Sequence, residues 1–418
     1  MRRRWKLLPY FLVSAFSFVG GAAIVASIDS AGASTYRSLD IFAKVLAYVE
    51  NSYVDETDSR TLIHGAIRGM LDTLDDYTVF LPAEEYRHMK ADTAGEFGGL
   101  GLEVRKEDDR LVVVEPLEDS PASRAGILPG DWIVSIEDTP TAELTVGEAV
   151  KMMRGQPGTR LRIGLFREGF SKPLELVLLR DRIQIRSVEA KLYPGGIGYV
   201  RIKSFQEKTE SFLTKALGEL RQQNGQKDLS GLVLDLRGNP GGLLDQAVRV
   251  ADRFLAQGEI VTTRGRGGKI LDIETAHRAG TEPDYPMVIL VDERSASASE
   301  VLAGALQDHG RAVVMGTTTF GKGSVQTVVD LDDGSGLKLT VARYYTPNHR
   351  SIHGTGIEPD VVVSKDGLNV VPALAVLGGD EAAAETDDAQ LRVALRTLRA
   401  WEAFQIQRKA EVQTAQAK

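Results

Sequence analysis

From Ile183 onward, short apolar runs alternate with helical stretches, a pattern that a sheet fed by crossover helices accommodates. The runs cover 198–202, 231–236 and Met287–Val291, and the helical stretches cover 210–223, 243–255 and a segment beginning at Ala298. An α/β domain is therefore expected in the second half of the chain. Two of its strands run into small-residue loops and then helices: Arg237-Gly-Asn-Pro-Gly-Gly242 follows the first, and Ser295-Ala-Ser-Ala-Ser-Glu300 follows the second. Such tips expose unpaired N–H groups at a helix N-terminus, where negative charge is stabilised. The N–H of Ala298 and that of Gly241 or Gly242 read as two halves of an oxyanion hole. A plain strand-to-helix turn is the blander reading of the same loop.

A serine at such a tip is a nucleophile only if a neighbour takes its proton. The chain has six histidines. His64 and His88 fall in a helical N-terminal stretch, His277 and His309 in polar connections, and His349 and His353 in a turn region. None has the Gly-rich strand-to-loop context of a base, which disfavours a histidine triad. Twenty-five residues after Ser297, however, Lys322 sits in Phe320-Gly-Lys-Gly323. A lysine can be the base if desolvation lowers its pKa from ~10.4 to near 7, about 3 units or roughly 4 kcal/mol. Gly321 and Gly323 would let the backbone close around Lys322 and keep water off its amine. Gln326 lies on the same strand face as Lys322 and could orient it. Alone, Ser297 reads more readily as an N-cap than as a nucleophile and Gln326 equally well as a surface glutamine, and residue chemistry leaves Ser295, Ser297 and Ser299 open. The run Gly316-Thr-Thr-Thr-Phe-Gly-Lys322 also approximates a phosphate loop. Gly323 stands where that loop needs a hydroxyl for Mg²⁺, and 324–331 alternates like a strand.

Composition narrows the remaining classes. The 418 residues suffice for two or three domains, and a net charge of -8 without a long basic run argues against nucleic acid or an anionic membrane surface as partner. Zero cysteines exclude disulfides, thiolate metal sites and a cysteine nucleophile. At the N-terminus, Arg2, Arg3, Arg4 and Lys6 precede an apolar stretch over 7–28, with Ala31 and Ala33 just beyond. This predicts a signal sequence or membrane anchor over 1–33 and an extracytoplasmic, periplasmic or cell-envelope location for the remainder.

Residues 34–93 carry apolar positions at helical spacing, with a turn near Tyr53, and read as a helical arm. From 94 to 181 the pattern becomes short strands at 111–114, Trp132–Ile136, 161–166 and Leu174–Leu179, with one helix at Val146–Met153. Gly98-Gly-Leu-Gly-Leu-Glu103 would present consecutive N–H groups beside a strand edge, able to hold a peptide C-terminal carboxylate while the peptide adds as a strand. Gly99, Leu100, Gly101 and Leu102 are the binding candidates. Together with Ser120-Pro-Ala-Ser-Arg-Ala-Gly-Ile-Leu-Pro-Gly-Asp131 they resemble a PDZ domain. A helix over 389–403 places Leu391, Leu395 and Leu398 on one face, for packing in the core, on the arm or on a second subunit; a frayed tail follows Glu402.

With these stretches assembled, the chain resembles the C-terminal processing peptidases (tail-specific proteases, peptidase family S41). The likeness rests also on Gly69-Met-Leu-Asp-Thr-Leu-Asp-Asp-Tyr77 and Gly354-Thr-Gly-Ile-Glu-Pro-Asp360; Asp76 departs from the family, which usually has proline there. The resemblance implies a multidomain α+β protein: a helical arm, a PDZ β-sandwich-like domain over 94–181, an α/β peptidase core of the ClpP/crotonase-like type over 182–365, and a C-terminal helix and tail over 366–418. It selects Ser297 as nucleophile with Lys322 as base, and it places Gln326 where the family positions that lysine. Arg154 matches an arginine that links PDZ binding to assembly of the site in some members. The implied activity is a Ser-Lys serine endopeptidase that cleaves exported proteins near C-termini bound by the PDZ domain, without metal or cofactor. Expected partners are protein substrates, the membrane if the N-terminal segment is retained, and a second copy in a homodimer. A PDZ scaffold with an inactive core is the alternative.

Overall fold

The computed structural model describes residues 36–365 and 386–401. The predicted signal or anchor over 1–33 and the tail after Glu402 lie outside the described residues; among those described, no helix is long and apolar enough to cross a membrane. The chain divides into two compact units between Phe80 and Leu81. In the first, the chain is helical over 36–52 and again over Ser59–Leu71, where the Asp58 carboxylate caps the helix by accepting from the Thr61 N–H at 2.9 Å. The region is not helical throughout. Asp75 Oδ1 accepts from the N–H groups of Tyr77 and Thr78, a local turn that ends helical geometry and leads into the strand Val79–Leu81.

The second unit opens with the helix Ala83–Ala94, closed by Gly95 at φ 69°. A six-stranded antiparallel sheet follows in the order 102–107, 110–116, 132–136, 160–166, 174–179, with the short strand Thr139–Pro140 pairing 132–136 off that path, beside a two-stranded ribbon of Glu96–Gly99 with Asp181–Gln184. Its core is built from alternating inward residues, among them Leu111, Val113, Ile133, Ile136, Leu161 and Ile163. The helix Val146–Met153 begins with a reciprocal cap between Thr145 and Glu148. A short helix at Pro121–Arg124 is an element the strand pattern did not announce.

The remainder is the α/β core. Its strands are β1 (Val188–Tyr193), β2 (Ile197–Ile202), β3 (Gly231–Asp235), β4 (Glu259–Arg264), β5 (Ile270–Thr275), β6 (Met287–Val291), β7 (Val313–Gly316), β8 (Ser324–Asp330), β9 (Gly336–Tyr345) and β10 (Val361–Val362). The main sheet runs β1-β2-β3-β6-β7-β10, antiparallel only at β1–β2. Helices α1 (Thr209–Gln223), α2 (Leu244–Asp252) and α3 (Ala298–Asp308) cover one face against Leu232, Leu234, Ile289 and Val314. The other face, Val233, Val288, Leu290 and Met315, is covered by α4 (Ala389–Arg399) through Leu391, Leu395 and Leu398. The C-terminal helix therefore packs in the core of its own chain. Each of those leucines contributes roughly 2 kcal/mol by burial. With helices on both sides, β3, β6 and β7 are buried along their whole length, which explains their unbroken apolar sequence. A second sheet pairs β8 with β9, β9 with β4 and β4 with β5.

Candidate active site

The two small-residue loops lie side by side because β3 and β6 are parallel neighbours. Asn239, fully buried, stitches them together. Its Oδ1 accepts from the Gly241 N–H (2.9 Å), its Nδ2 donates to the Ile202 carbonyl (2.8 Å), and its own carbonyl accepts from the Ala296 N–H and the Ser299 hydroxyl (both 3.0 Å). Ser295 does similar work, donating to the Leu236 carbonyl at 2.8 Å. Ser295 and Ser299 are thus fully buried staples, whereas Ser297 lines a cavity of about 1220 Å³. Structure separates the three serines that residue chemistry left equivalent.

Ser297 adopts φ 56° and ψ -115°, a left-handed geometry that is strained for a residue with a Cβ. The sharp turn leaves no room on its other side. A Cβ at Gly241 would stand 2.9 Å from the Ser297 Cβ and 3.0 Å from the Ala298 nitrogen. Gly241 is thereby fixed as glycine, and its N–H is consumed by Asn239. Among the described residues, the N–H groups of Gly242 and Ala298 make no backbone or side-chain hydrogen bond.

Lys322 reaches the same cavity from the loop between β7 and β8. This loop is set by Glu300, three residues after Ser297 and fully buried. The Glu300 carboxylate accepts from the Ser297 N–H (2.7 Å), the Gly321 N–H (2.7 Å), the Lys322 N–H (2.9 Å) and the Thr319 hydroxyl (2.5 Å). Burial raises its pKa, while these four donors pull it down. On the far side, a Cβ at Gly323 would stand 2.4 Å from the His353 nitrogen, so the 352–356 backbone closes over the lysine loop. Burial lowers the Lys322 amine below the usual lysine range; Lys338 lowers it further, and Glu300 opposes both. The phosphate-loop alternative has no helix to support it, since β8 follows directly.

Gln326 lies in the same cavity, but its amide nitrogen is given to the Ser324 hydroxyl at 2.7 Å, with a longer contact to the Thr340 hydroxyl at 3.4 Å. Tyr344, on β9, lines the cavity with Ser297; burial raises its hydroxyl to about 12, with the Ser297 side chain opposing. Among the described residues, His88 is the one histidine lining the cavity, from the helix Ala83–Ala94. Glu300 was within reach of sequence reasoning, because Ser-x-x-Glu is a capping-box pattern. Asn239, Thr319, Tyr344 and Lys338 carried no such signal.

In the smaller β domain, Leu100 and Gly101 carry N–H groups that make no hydrogen bond among the described residues, while their carbonyls accept from Ala122 (3.0 Å) and Leu117 (2.9 Å). Leu102 and Val104 from the adjacent strand, and Val146 and Val150 from the helix, remain partly exposed on top of the core. Gly99 is paired in the ribbon with Asp181. Arg154 stacks its guanidinium 4.8 Å from the Phe97 ring and lines a second cavity with Glu84, His88 and Asp92. His88 and Asp92 line both cavities.

A strand-tip serine under an unused pair of N–H groups, with a depressed lysine in the same cleft, is chemically suited to acyl transfer. Sequence comparison agrees: the model of peptidase family S41 matches residues 196–363, that of the PDZ domain 112–167, and that of the activating protease CtpB N-terminal domain 20–85. A carboxy-terminal-processing protease of Bartonella bacilliformis is 45% identical over 332 residues, covering 79% of this chain and 76% of that protein. The carboxyl-terminal-processing protease of Synechocystis is 36% identical, covering 87% and 88%. Among solved structures, the photosystem II D1 C-terminal processing protease is 34% identical with a TM-score of 0.46, covering 77% of this chain and 92% of that one. The chain belongs to the carboxy-terminal processing proteases of peptidase family S41, with a PDZ domain.

Proposed function

We propose that this protease is a serine endopeptidase with a Ser297–Lys322 dyad that cleaves exported proteins near C-termini held by its PDZ domain. The observation that carries the proposal is the burial of Lys322 in the cavity that Ser297 enters from its strained turn. The neutral Lys322 amine takes the Ser297 proton as Oγ attacks the scissile carbonyl carbon. The Ala298 and Gly242 N–H groups hold the oxyanion. Gly242 is preferred to Gly241 because the Gly241 N–H is already given to Asn239. Collapse breaks the C–N bond, and the lysine proton goes to the departing amine. Water, deprotonated by the same lysine, then hydrolyses the Ser297 ester. Gln326 acts by positioning and not by proton transfer.

The free N–H groups of Leu100 and Gly101, beside the partly exposed Leu102 and Val104, support docking of a C-terminal carboxylate with strand addition. His88 and Asp92, shared by the Arg154 cavity and the catalytic cleft, support the role of Arg154 as a link between the two. Exposed apolar residues along 36–52, including Leu39, Ile41, Phe42 and Val45, support a homodimer. The arginine-led apolar segment supports export to the periplasm or cell envelope, with membrane attachment if it is retained. Purified wild type, Ser297→Ala and Lys322→Ala are to be incubated with a protein ending in an apolar tail. Cleavage near the C-terminus by wild type alone is expected. Equal cleavage by all three contradicts the dyad, and tail binding without cleavage by any of them favours the scaffold.

A further inference from the structure

Lys338 lies in the catalytic cleft and has no part in the chemistry just described. It sits on β9 directly opposite Val328 of β8, two residues from Thr340, which faces Gln326. Lys338 and Gln326 therefore share one face of the strand pair, and both line the cavity with Ser297, Lys322 and Tyr344. Two residues of strand span about 7 Å. That is also the span of two residues of an extended peptide.

The Lys338 side chain is partly buried, yet no carboxylate among the described residues lies within ion-pair distance of it. Glu85, Asp92 and Glu207 also line the cleft, and none of them contributes a charge interaction to Lys338. Its charged neighbour is Lys322, of like sign. Burial lowers the Lys338 amine, with no opposing group to raise it. A partly desolvated ammonium without a counterion is unfavourable, and a cleft that receives polypeptide can obtain the counterion from its substrate.

We propose that Lys338 is a carboxylate-binding subsite of the cleft, taking an acidic side chain or the free C-terminal carboxylate of the polypeptide lying across Ser297. The proposal rests on the peptidase reading of the site. It adds a preference: acid-bearing substrates bind more tightly, because the carboxylate supplies the missing counterion.

The test uses one short peptide series built on a single cleaved sequence. One pair differs by Glu or Gln two residues from the scissile bond, and another by a free or amidated C-terminus. Cleavage is measured with the wild-type, Lys338→Gln and Lys338→Arg full chains. Binding is measured with the same Lys338 substitutions in a Ser297→Ala background, which reads the subsite without turnover. Wild type is expected to favour one carboxylate-bearing peptide about tenfold in KM. Lys338→Gln should abolish that ratio and Lys338→Arg should retain it. The Glu/Gln pair responding identifies an acidic side chain as the ligand, and the carboxylate/amide pair identifies the terminus. A preference that survives Lys338→Gln overturns the proposal, because it then arises elsewhere, such as at Leu100 and Gly101. So does a Lys338→Gln enzyme whose only change is an acid limb shifted to higher pH, which would make Lys338 a modifier of Lys322. Binding that depends on Lys338 without any cleavage would sustain the subsite and sink the peptidase reading.

Discussion

Ser297 holds a backbone geometry that costs a non-glycine residue about 1–3 kcal/mol, and the Glu300 carboxylate, gripping the N–H groups of both Ser297 and Lys322, holds it there. Glu300→Gln is expected to destabilise the protein by about 2 kcal/mol, measured by denaturant unfolding, since one amide cannot accept all four hydrogen bonds. The same change removes a negative charge that raises the Lys322 pKa. The acid limb of kcat/KM should therefore move to lower pH; a merely structural loss would lower the rate without moving the limb. At Gly323, a new Cβ would collide with the His353 backbone, so Gly323→Ala should displace the lysine loop and lower kcat about 100-fold with little change in KM. Steady-state kinetics on a neutral peptide decides this. The sequence pointed to Ser297 and Lys322 through their small-residue surroundings, but could not separate Ser297 from Ser295 and Ser299. That distinction depends on Leu236 and Asn239, which lie about sixty residues earlier in the chain. The Ser-x-x-Glu pattern marks Glu300 as a cap, but its hold on the lysine loop is not legible in the sequence, because three of its four donors come from residues 319–322.

At the level of elements, the main sheet is fastened to its C-terminal helix by an ionic cluster. Arg237 bridges the buried Asp235 and Asp388 at the start of α4, each at 2.6 Å, and Tyr199 donates to Asp235 at 2.8 Å. Arg237→Ala leaves Asp235 buried without its cation and should cost about 3–5 kcal/mol in denaturant unfolding. Burial alone would raise the Asp388 carboxyl, but Arg237 and the backbone N–H groups of Leu391 and Gln390 together outweigh it and the pKa is lowered. Its contribution is present above the unfolded value near 4 and is lost as pH falls through the lower folded value. The Arg237→Ala protein should show a weaker acid dependence in that window. Elements with a strong period were legible: the helix Val146–Met153 and the strands Trp132–Ile136 and Met287–Val291 appear with the bounds their patterns suggest. The sheet of β4, β5, β8 and β9 was legible only at β8, because its pairings join segments far apart in sequence. The strand Val79–Leu81 is not legible in the sequence, because the turn made by Asp75 interrupts a helical apolar rhythm.

On the scale of the whole molecule, the unit ending at Phe80 exposes apolar side chains that a monomer leaves in water, with Ile41 58% and Tyr48 74% accessible. Light scattering of the purified chain should give twice the chain mass, and Ile41→Glu with Phe42→Glu should return it to the monomer mass. A monomer at all concentrations would contradict that expectation. The order of regions was legible because each has its own rhythm: helical, then short strands with turns, then strand and helix in alternation. Their assembly was not, since the site joins a turn at one strand tip to a glycine-flanked loop at another. The central claim is that Ser297 is a nucleophile made reactive by Lys322. A fluorophosphonate probe, followed by peptide mass spectrometry, tests it most directly. One adduct is expected, on Ser297, forming faster as pH rises through the lowered lysine pKa and at least ~100-fold slower in Lys322→Ala. An adduct on another serine, or equal labelling in Lys322→Ala, would contradict it.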